Sequence, residues 1–305
     1  MSREPQPRPP AYCHARLPNA GLGNKLLVWG RAFAFARINR LPLVVSGWVR
    51  PQIAPFLRGG DLRLYWNYFR HTAEISAVRR LAEFRSAEIV QDPEVGPVTP
   101  PARPTVYEFA AIPHWDDYFR DLKPHRDEIR QALFALLTPA RRREFERGPK
   151  PAVCVHVRLA DFRPLRSGED FARVGGVRTP ADYFVRLIAG IRQVHGSPLP
   201  VTLVTDGTRD QLRELLAVPG VELGPRQTAL GDILMMSACK VLVPSAGSTF
   251  GLWGGFLGEN ALLMHPDHIH QPVRPAVVNA KFYEGPATGA PEQWPELLRQ
   301  NLRAL

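Results

Sequence analysis

The chain of 305 residues is longer than one compact core usually holds, so two domains, or one large domain, are expected. Its 45% hydrophobic and 22% charged residues are ordinary for a folded soluble protein, and the sequence has no apolar run long enough to predict a membrane-spanning helix. The net charge of +10, with only five Lys among 39 basic residues, fits an anionic partner such as nucleic acid, a membrane surface or a phosphorylated ligand, and equally a compositional preference for Arg.

The first ten residues, MSREPQPRPP, lack the apolar region of a secretory signal and are typical of a short Pro- and Arg-rich tail. The three cysteines, Cys13, Cys154 and Cys239, are widely spaced and each lies in an apolar run. Buried, reduced thiols are the simplest interpretation. We therefore expect a cytoplasmic protein.

The first half of the chain begins with a strand, a glycine turn, a helix and a second strand. AYCHARL at 11–17 predicts the first strand, the turn lies at 19–23, NKLLVWGRAFAFARINR at 24–40 has helical spacing, and LPLVVSGW predicts a buried strand. Further strands are predicted at 61–69 and 105–110, and a helix at 125–137. The polar, Pro-bounded stretch TPARRREFERGPKP at 138–151 predicts a connector, so we place the domains at 1–150 and 151–305.

The second half alternates regularly between strands and helices. Strands are predicted at AVCVHVR, PVTLVTD, VEL, VLVPS and ALLMH, and helices from Pro180 with Thr179 as N-cap, at RDQLRELLA, at GDILMMSACK and at STFGLWGGFLG. A last helix at 295–305 could return to the first domain. Uniformly apolar strands that alternate with helices predict an α/β fold with parallel sheets, made of two Rossmann-like domains with a cleft between them.

A polar cluster stands where the first strand of the second half ends, in CVHVRLAD. Alternation along the strand places His156 and Arg158 on one side, and Asp161 follows in the loop. Ligands of such sheets bind at the carboxyl ends of the strands. An Arg fork there matches a phosphate, although an Arg–Asp pair that only fixes the loop is the alternative.

Three further segments are predicted to lie at the same edge. GLGNK at 21–25 lacks the third glycine of a dinucleotide motif and the Gly-Lys-Ser/Thr of a P-loop, which leaves a tight turn with free backbone N–H groups and Asn24 at a helix start. Asp206 ends the strand of VTDG and could accept from a sugar or base, or cap a helix. In VPSAGSTFGLWGG, Ser248 and Thr249 offer hydroxyls at a helix N-terminus, where capping alone is the alternative.

Together these motifs resemble the fucosyltransferases that use GDP-fucose, in particular the α1,2-fucosyltransferase family, and more distantly the α1,6- and protein O-fucosyltransferases. The motifs are GLGN, HVRLAD, the aspartate of VTDG, and DILMMSACK followed by STFGLWG, in that order from residue 21 to about 257. The chain departs from the family pattern at Leu159, where a second basic residue is usual, at Lys25, where Gln is usual, and in the SAG that precedes STF.

The resemblance implies a GT-B architecture and roles for individual residues. Arg158 would bind the β-phosphate of GDP-fucose and stabilise departing GDP, and Asn24 would reach across from the first domain. The remaining donor-binding residues that the resemblance implies are Gly21, Gly23, His156, Asp206 and Asp232 (guanine or ribose), Ser248, Thr249 and Phe250. Transfer would be inverting.

Many glycosyltransferases hold a metal ion with a D-x-D motif, which this sequence lacks. His265, His268 and His270 are close along the chain without the spacing of metal ligands. We therefore predict metal-independent transfer, without a cofactor, in which Arg158 and helix amides neutralise the diphosphate. The candidate bases are His14, Asp161 and a carboxylate of the first domain.

The acceptor implied by the family is a glycan, free or lipid-linked. Arg141, Arg142 and Arg143 could contact an anionic membrane from the cytoplasmic side. Three other functions remain open: a transferase that uses a different nucleotide sugar, a protein that binds a sugar nucleotide without turnover, and a basic nucleic-acid-binding protein. The last is disfavoured because the basic residues are spread without interleaved aromatics.

Overall fold

The computed structural model describes residues 11–48, 65, 68–70, 86–268 and 271–305. Within these ranges, four parallel strands form an N-terminal sheet in the spatial order β2-β1-β4-β3. The elements of this half are β1 (Ala11–Arg16), α1 (Leu22–Asn39), β2 (Leu43–Ser46), β3 (Glu88–Gln91), β4 (Thr105–Phe109), α2 (Arg126–Leu136) and α3 (Pro139–Arg147). Side chains alternate across β1, so that Cys13 and Ala15 join the core that α1 covers, whereas Tyr12 and His14 belong to the opposite face.

The second sheet has six parallel strands in the order β10-β9-β8-β5-β6-β7. Its elements in chain order are β5 (Val153–Val157), α4 (Ala181–His195), β6 (Val201–Thr205), α5 (Arg213–Leu216), β7 (Val221–Leu223), α6 (Ala229–Ala238), β8 (Val241–Pro244), α7 (Thr249–Leu257), β9 (Ala261–Leu263), α8 (Ala276–Asn279), β10 (Glu284–Gly285) and α9 (Glu296–Arg303). Helices cover both faces, as the apolar strands require. The predicted α/β fold with two parallel sheets is confirmed.

Several local predictions differ from the structure. The connector at 138–151 is in part the helix α3, because Pro139 opens a helical turn whose N-cap Thr138 accepts a hydrogen bond from the Arg141 N–H. Thr179 does not cap α4. The helix begins at Ala181, and the Thr179 hydroxyl instead accepts from the backbone N–H of Ala246, 2.9 Å away.

One predicted contact is also corrected. The structure packs α9 on α4 rather than on the first half, because Leu298 and Leu302 are buried in the C-terminal core. Arg141 packs on the Tyr68 ring, with its guanidinium 5.6 Å from the ring centroid, and pairs with Glu144, whereas Arg142 and Arg143 are exposed. The predicted contact with an anionic membrane stays a prediction. The predicted strand at 61–69 falls largely outside the described residues, and β3 and β10 were not predicted.

The two halves share one hydrophobic core. Helix α7 of the second half packs on α1, and Phe119 contacts Trp253 and Phe256 of α7. At the C-terminal end of α7, Arg126 of α2 donates to the carbonyls of Phe256 at 2.7 Å and Gly258 at 2.9 Å. Helix α7 therefore contacts both α1 and α2 of the first half. The division at residue 150 stays a prediction. Within the described ranges, no helix has the length and apolar character needed to span a bilayer.

Candidate functional site

The N-termini of α1 and α7 meet where the two halves join. Gly21 and Ser248 precede the two helices, neither helix has a side-chain cap, and neither has an acidic residue in its first turn. The Thr249 hydroxyl donates to Asn24 Oδ1 across the junction at 2.9 Å. Two helix N-termini with uncapped amides place positive potential in one region, which favours an anion.

Gly23 allows this close approach. The Trp253 indole donates to the Gly23 carbonyl at 2.9 Å, and a Cβ at position 23 would lie 2.8 Å from both the Phe250 nitrogen and the Thr249 hydroxyl. The sequence suggested a phosphate-binding glycine turn. The structure gives Gly23 a packing reason that does not depend on any ligand.

Substitution of Gly23 by Ala is expected to force α1 and α7 apart, because backbone atoms of α7 occupy the space of the new methyl group. Overpacking of this kind typically costs about 1–3 kcal/mol of stability. Thermal unfolding would measure the loss. Gly96→Ala is the matched control, since a Cβ at position 96 meets nothing within 4 Å. Equal stability of the two variants would contradict this account.

Arg158 lies just beyond β5 between two carboxylates. Its Nη1 is 2.6 Å from Asp206 Oδ2, and its Nη2 is 2.7 Å from Asp161 Oδ1. Asp206 Oδ1 also accepts from the backbone N–H of Leu159, and the Ser245 hydroxyl accepts from that of Arg158. The predicted His-x-Arg-x-x-Asp geometry is thus present for Arg158 and Asp161. Asp206 orients Arg158 and the loop, a contact that the sequence did not indicate.

His156 is a buried neutral imidazole. Burial first, and then the positive charge of Arg158, lower its pKa to about 4. Its ring packs on Phe250 with centroids 5.4 Å apart, and its buried Nδ1 has no hydrogen-bond partner among the described residues. A cationic phosphate contact is therefore not available to His156 at neutral pH. The predicted role of His156 in holding a nucleotide is therefore limited to contacts that a neutral imidazole can make.

Asp232 lies in the first turn of α6, facing α3. Burial first, and then the charge of Glu144, raise its pKa from the ordinary 3.8 to about 7, although a hydrogen bond from Gln227 opposes the rise. The neighbouring Gly231 would bring a Cβ within 3.0 Å of Glu144 Oε1. Buried carboxyls with shifted pKa values concentrate at functional sites. The predicted base or ribose contact of Asp232 stays a prediction.

The raised pKa of Asp232 predicts a pH dependence of stability. The unfolded carboxyl ionises near pH 3.8 and the folded one near pH 7, so the folded state keeps its proton between these values. The contribution of the protonated Asp232 carboxyl to the free energy of unfolding is complete below pH 3.8 and is lost as the pH rises towards 7. We expect Asp232→Asn to gain stability relative to the wild type across this window. Urea unfolding from pH 4 to 8 measures the difference, with Asp210→Asn, at an exposed position, as the control.

The remaining predicted residues are placed as follows. His14 is 7% exposed, on the face of the N-terminal sheet away from α1. His268 Nε2 lies 2.7 Å from the Phe171 carbonyl, His265 accepts from the Asp267 N–H, and His270 falls outside the described residues. Among the described residues, no group of three His, Cys, Asp or Glu side chains is arranged to hold a metal ion. Metal independence stays a prediction. Cys13, Cys154 and Cys239 are buried free thiols, as predicted.

Sequence reasoning missed Ser245, whose hydroxyl accepts from the Arg158 N–H and donates to the His156 carbonyl at 2.9 Å. It also missed the indole of Trp253 as a link between the halves. The signal for Ser245 was weak: a serine directly after the apolar VLVP of β8. The local sequence does not show that β8 pairs with β5, and this pairing is what brings Ser245 to Arg158.

No protein-family model and no curated relative matches the sequence. Among solved structures, the fucosyltransferase NodZ from Bradyrhizobium aligns with a TM-score of 0.51 at 15% identity, over 86% of this chain and 99% of that one. A mutant of Arabidopsis thaliana FUT1 in complex with GDP aligns with a TM-score of 0.46 at 14% identity, over 88% of this chain and 76% of that one. The E. coli heptosyltransferase WaaC with ADP aligns at 0.39 and 12%, over 85% and 89%.

The likeness to NodZ concerns the fold. It agrees with two parallel sheets flanked by helices and confirms the predicted GT-B-like architecture. The likeness does not single out the α1,2 family among the fucosyltransferases, and at this identity it carries no residue roles.

Proposed function

We propose that this GT-B chain is a glycosyltransferase that transfers fucose from GDP-fucose to a hydroxyl of a glycan. The observation that carries the proposal is the position of Arg158, held by two carboxylates at the carboxyl end of β5. It lies in the same half whose uncapped α7 meets α1. These groups together offer a cation and backbone donors to one anionic ligand.

The choice of donor rests on the motifs HVRLAD and STFGLWG, which resemble those of enzymes that use GDP-fucose. The solved structures that align with this chain include NodZ soaked with GDP-fucose and POFUT1 in complex with GDP-fucose, and these titles describe those proteins. Transfer to a galactoside in an α1,2 linkage, with inversion, is the finer form of the proposal. It depends on the motif resemblance alone.

In the proposed reaction the bond between the sugar and the diphosphate breaks, and negative charge grows on departing GDP. Arg158 is oriented by Asp161 and Asp206, so its guanidinium needs no rearrangement to accept that charge. The first-turn amides of α1 and α7, with Asn24 and Thr249 between them, would hold the diphosphate. Gly21, Ser248 and Phe250 would line the same region, and Asp232 would contact the guanine or ribose.

Calorimetric titration with GDP, UDP and ADP, each with and without EDTA, tests the proposal. GDP is expected to bind most tightly, without sensitivity to EDTA, and GDP-fucose is expected to release GDP when a glycan acceptor is added. Tighter binding of UDP or ADP would reject GDP-fucose as the donor and favour a transferase for another nucleotide sugar. Binding of GDP without turnover of GDP-fucose would favour a binding protein.

A further inference from the structure

Four neighbouring strands of the N-terminal sheet bring polar side chains together on the face away from α1. Glu108 on β4 is the centre: its Oε2 lies 2.8 Å from His14 Nδ1, and its Oε1 accepts from Arg16 at 2.9 Å and Gln91 at 3.0 Å. His14 Nε2 in turn lies 2.8 Å from the Ser46 hydroxyl. Ser46, His14 and Glu108 thus form a continuous chain of hydrogen bonds, which we call the Ser46 relay.

The charge of Glu108 fixes the direction of these hydrogen bonds. Burial raises the pKa of Glu108, but the hydrogen bonds from Gln91, Arg16 and His14 outweigh burial and leave the pKa lowered. Glu108 is therefore ionised at neutral pH and can only accept. His14 Nδ1 must then carry the proton, so in the neutral ring Nε2 is an acceptor and Ser46 donates to it.

The strand end that carries Ser46 is linked to the start of α1 through the residue that follows it. Ser46 ends β2, and the next residue, Gly47, offers its carbonyl to Lys25 Nζ at 2.6 Å. Lys25 follows Asn24, which bonds to Thr249 at the junction of the halves. The strand end that carries Ser46 is therefore tied to the helix turn that the proposed function assigns to the diphosphate. Ser46 is only partly buried, unlike His14 and Glu108.

We propose that the Ser46 relay is the base that removes the proton from the acceptor hydroxyl, an inference that rests on the proposed glycosyl transfer. The acceptor O–H donates to Ser46 Oγ while Ser46 donates to His14 Nε2. As the acceptor oxygen bonds to the sugar carbon, the bond from that carbon to the diphosphate breaks and GDP leaves with the electron pair. The acceptor proton passes to Ser46, the Ser46 proton passes to His14, and Glu108 stabilises the imidazolium until His14 loses its proton to solvent.

Asp161, the other base expected from the sequence, is less suited to this task. Both of its carboxylate oxygens lie within 2.8 Å of Arg158 Nη2. This ion pair engages both of the oxygens that could accept a proton from the acceptor hydroxyl. His14 instead has an ionised carboxylate on one nitrogen and a hydroxyl on the other, the arrangement that activates a hydroxyl group.

The rate of GDP release from GDP-fucose, measured once with a hydroxyl acceptor and once with azide, distinguishes a role of the relay as a base from a purely structural role. Azide is already an anion and needs no deprotonation. With water or methyl β-galactoside as acceptor, His14→Gln is expected to lose about 10²–10⁴-fold in turnover, and Ser46→Ala is expected to lose turnover as well. Azide-supported release should be unchanged in both variants. His195→Gln is the matched control, because His195, the last residue of α4, pairs with the Ser197 hydroxyl and, among the described residues, with no carboxylate.

The relay would be overturned if His14→Gln and Ser46→Ala kept the wild-type rate with hydroxyl acceptors. It would also be overturned if their rates fell equally with hydroxyl acceptors and with azide. Titration with GDP tests the proposed function independently of the relay. The wild type and both variants should bind GDP equally, whereas a wild type that does not bind GDP would contradict the proposed function rather than the relay. Nitrogen-15 NMR of labelled histidine, assigned with His14→Gln, tests the relay without turnover. The Nδ1–H tautomer of His14 is expected, and the Nε2–H tautomer would overturn the relay.

Discussion

Replacement of Arg158 by Ala is expected to lower the turnover of GDP-fucose by about 10²–10³-fold, the usual effect of removing one fixed donor from a developing anion. The variant loses the guanidinium and also leaves Asp161 and Asp206 without their shared cation. The two carboxylates would then repel the diphosphate, so GDP should bind more weakly too. Steady-state release of GDP and calorimetric titration measure the two effects.

Arg158→Lys separates charge from geometry. A lysine keeps the positive charge but cannot reach both carboxylates with a planar fork, so part of the loss should remain. Arg209→Ala is a suitable control, because Arg209 is exposed in the segment that follows β6, the strand paired with β5. Near-normal turnover of Arg158→Ala would remove the proposed role of this residue.

Substitution of Arg274 by Met is expected to cost about 3–5 kcal/mol in the free energy of unfolding, because it leaves a buried carboxylate unpaired. The side chains of Arg274 and Glu284 are 0% and 2% exposed, and Arg274 Nε lies 3.2 Å from Glu284 Oε2. Arg274 also donates to the carbonyls of Asn260 at 2.7 Å and Tyr283 at 3.0 Å. It therefore ties α8 and β10 to β9. Urea unfolding measures the loss.

Two further variants show whether the cost comes from the unpaired charge. The double variant with Arg274→Met and Glu284→Leu should recover part of the lost stability, since it removes the unpaired carboxylate. Arg186→Met, which breaks the exposed pair with Asp182 on α4, should cost no more than about 1 kcal/mol. A loss at Arg274 no larger than that at Arg186 would show that the buried pair contributes little.

The sequence predicted most elements of the second half because uniformly apolar strands and amphipathic helices alternate there. It predicted Arg158 and Asp161 as neighbours because their spacing spans a strand end. Asp206 was placed at the correct edge, but its bond to Arg158 depends on the pairing of β5 with β6. Pairing of distant strands is not encoded by local periodicity.

The same limit applies more strongly to the Ser46 relay. His14 lies 32 positions from Ser46 and 94 from Glu108, and nothing in the local pattern of β1, β2 or β4 joins them. The edge strand β3 was missed because EIVQ has only two apolar residues and packs weakly. Helix α3 was missed because the Pro and Arg of its sequence are also typical of a connector.

The attachment of α7 to both α1 and α2 has a consequence for the behaviour of the whole chain. Pro149 and Lys150 are exposed between α3 and β5, where a protease could cut. The cut would not release two separate fragments. The Trp253 indole would still donate to the Gly23 carbonyl, and Arg126 would still donate to the carbonyl of Phe256 at the end of α7. The nicked protein should migrate as one particle and melt in a single transition. A long flexible linker inserted at this point should likewise leave both halves assembled.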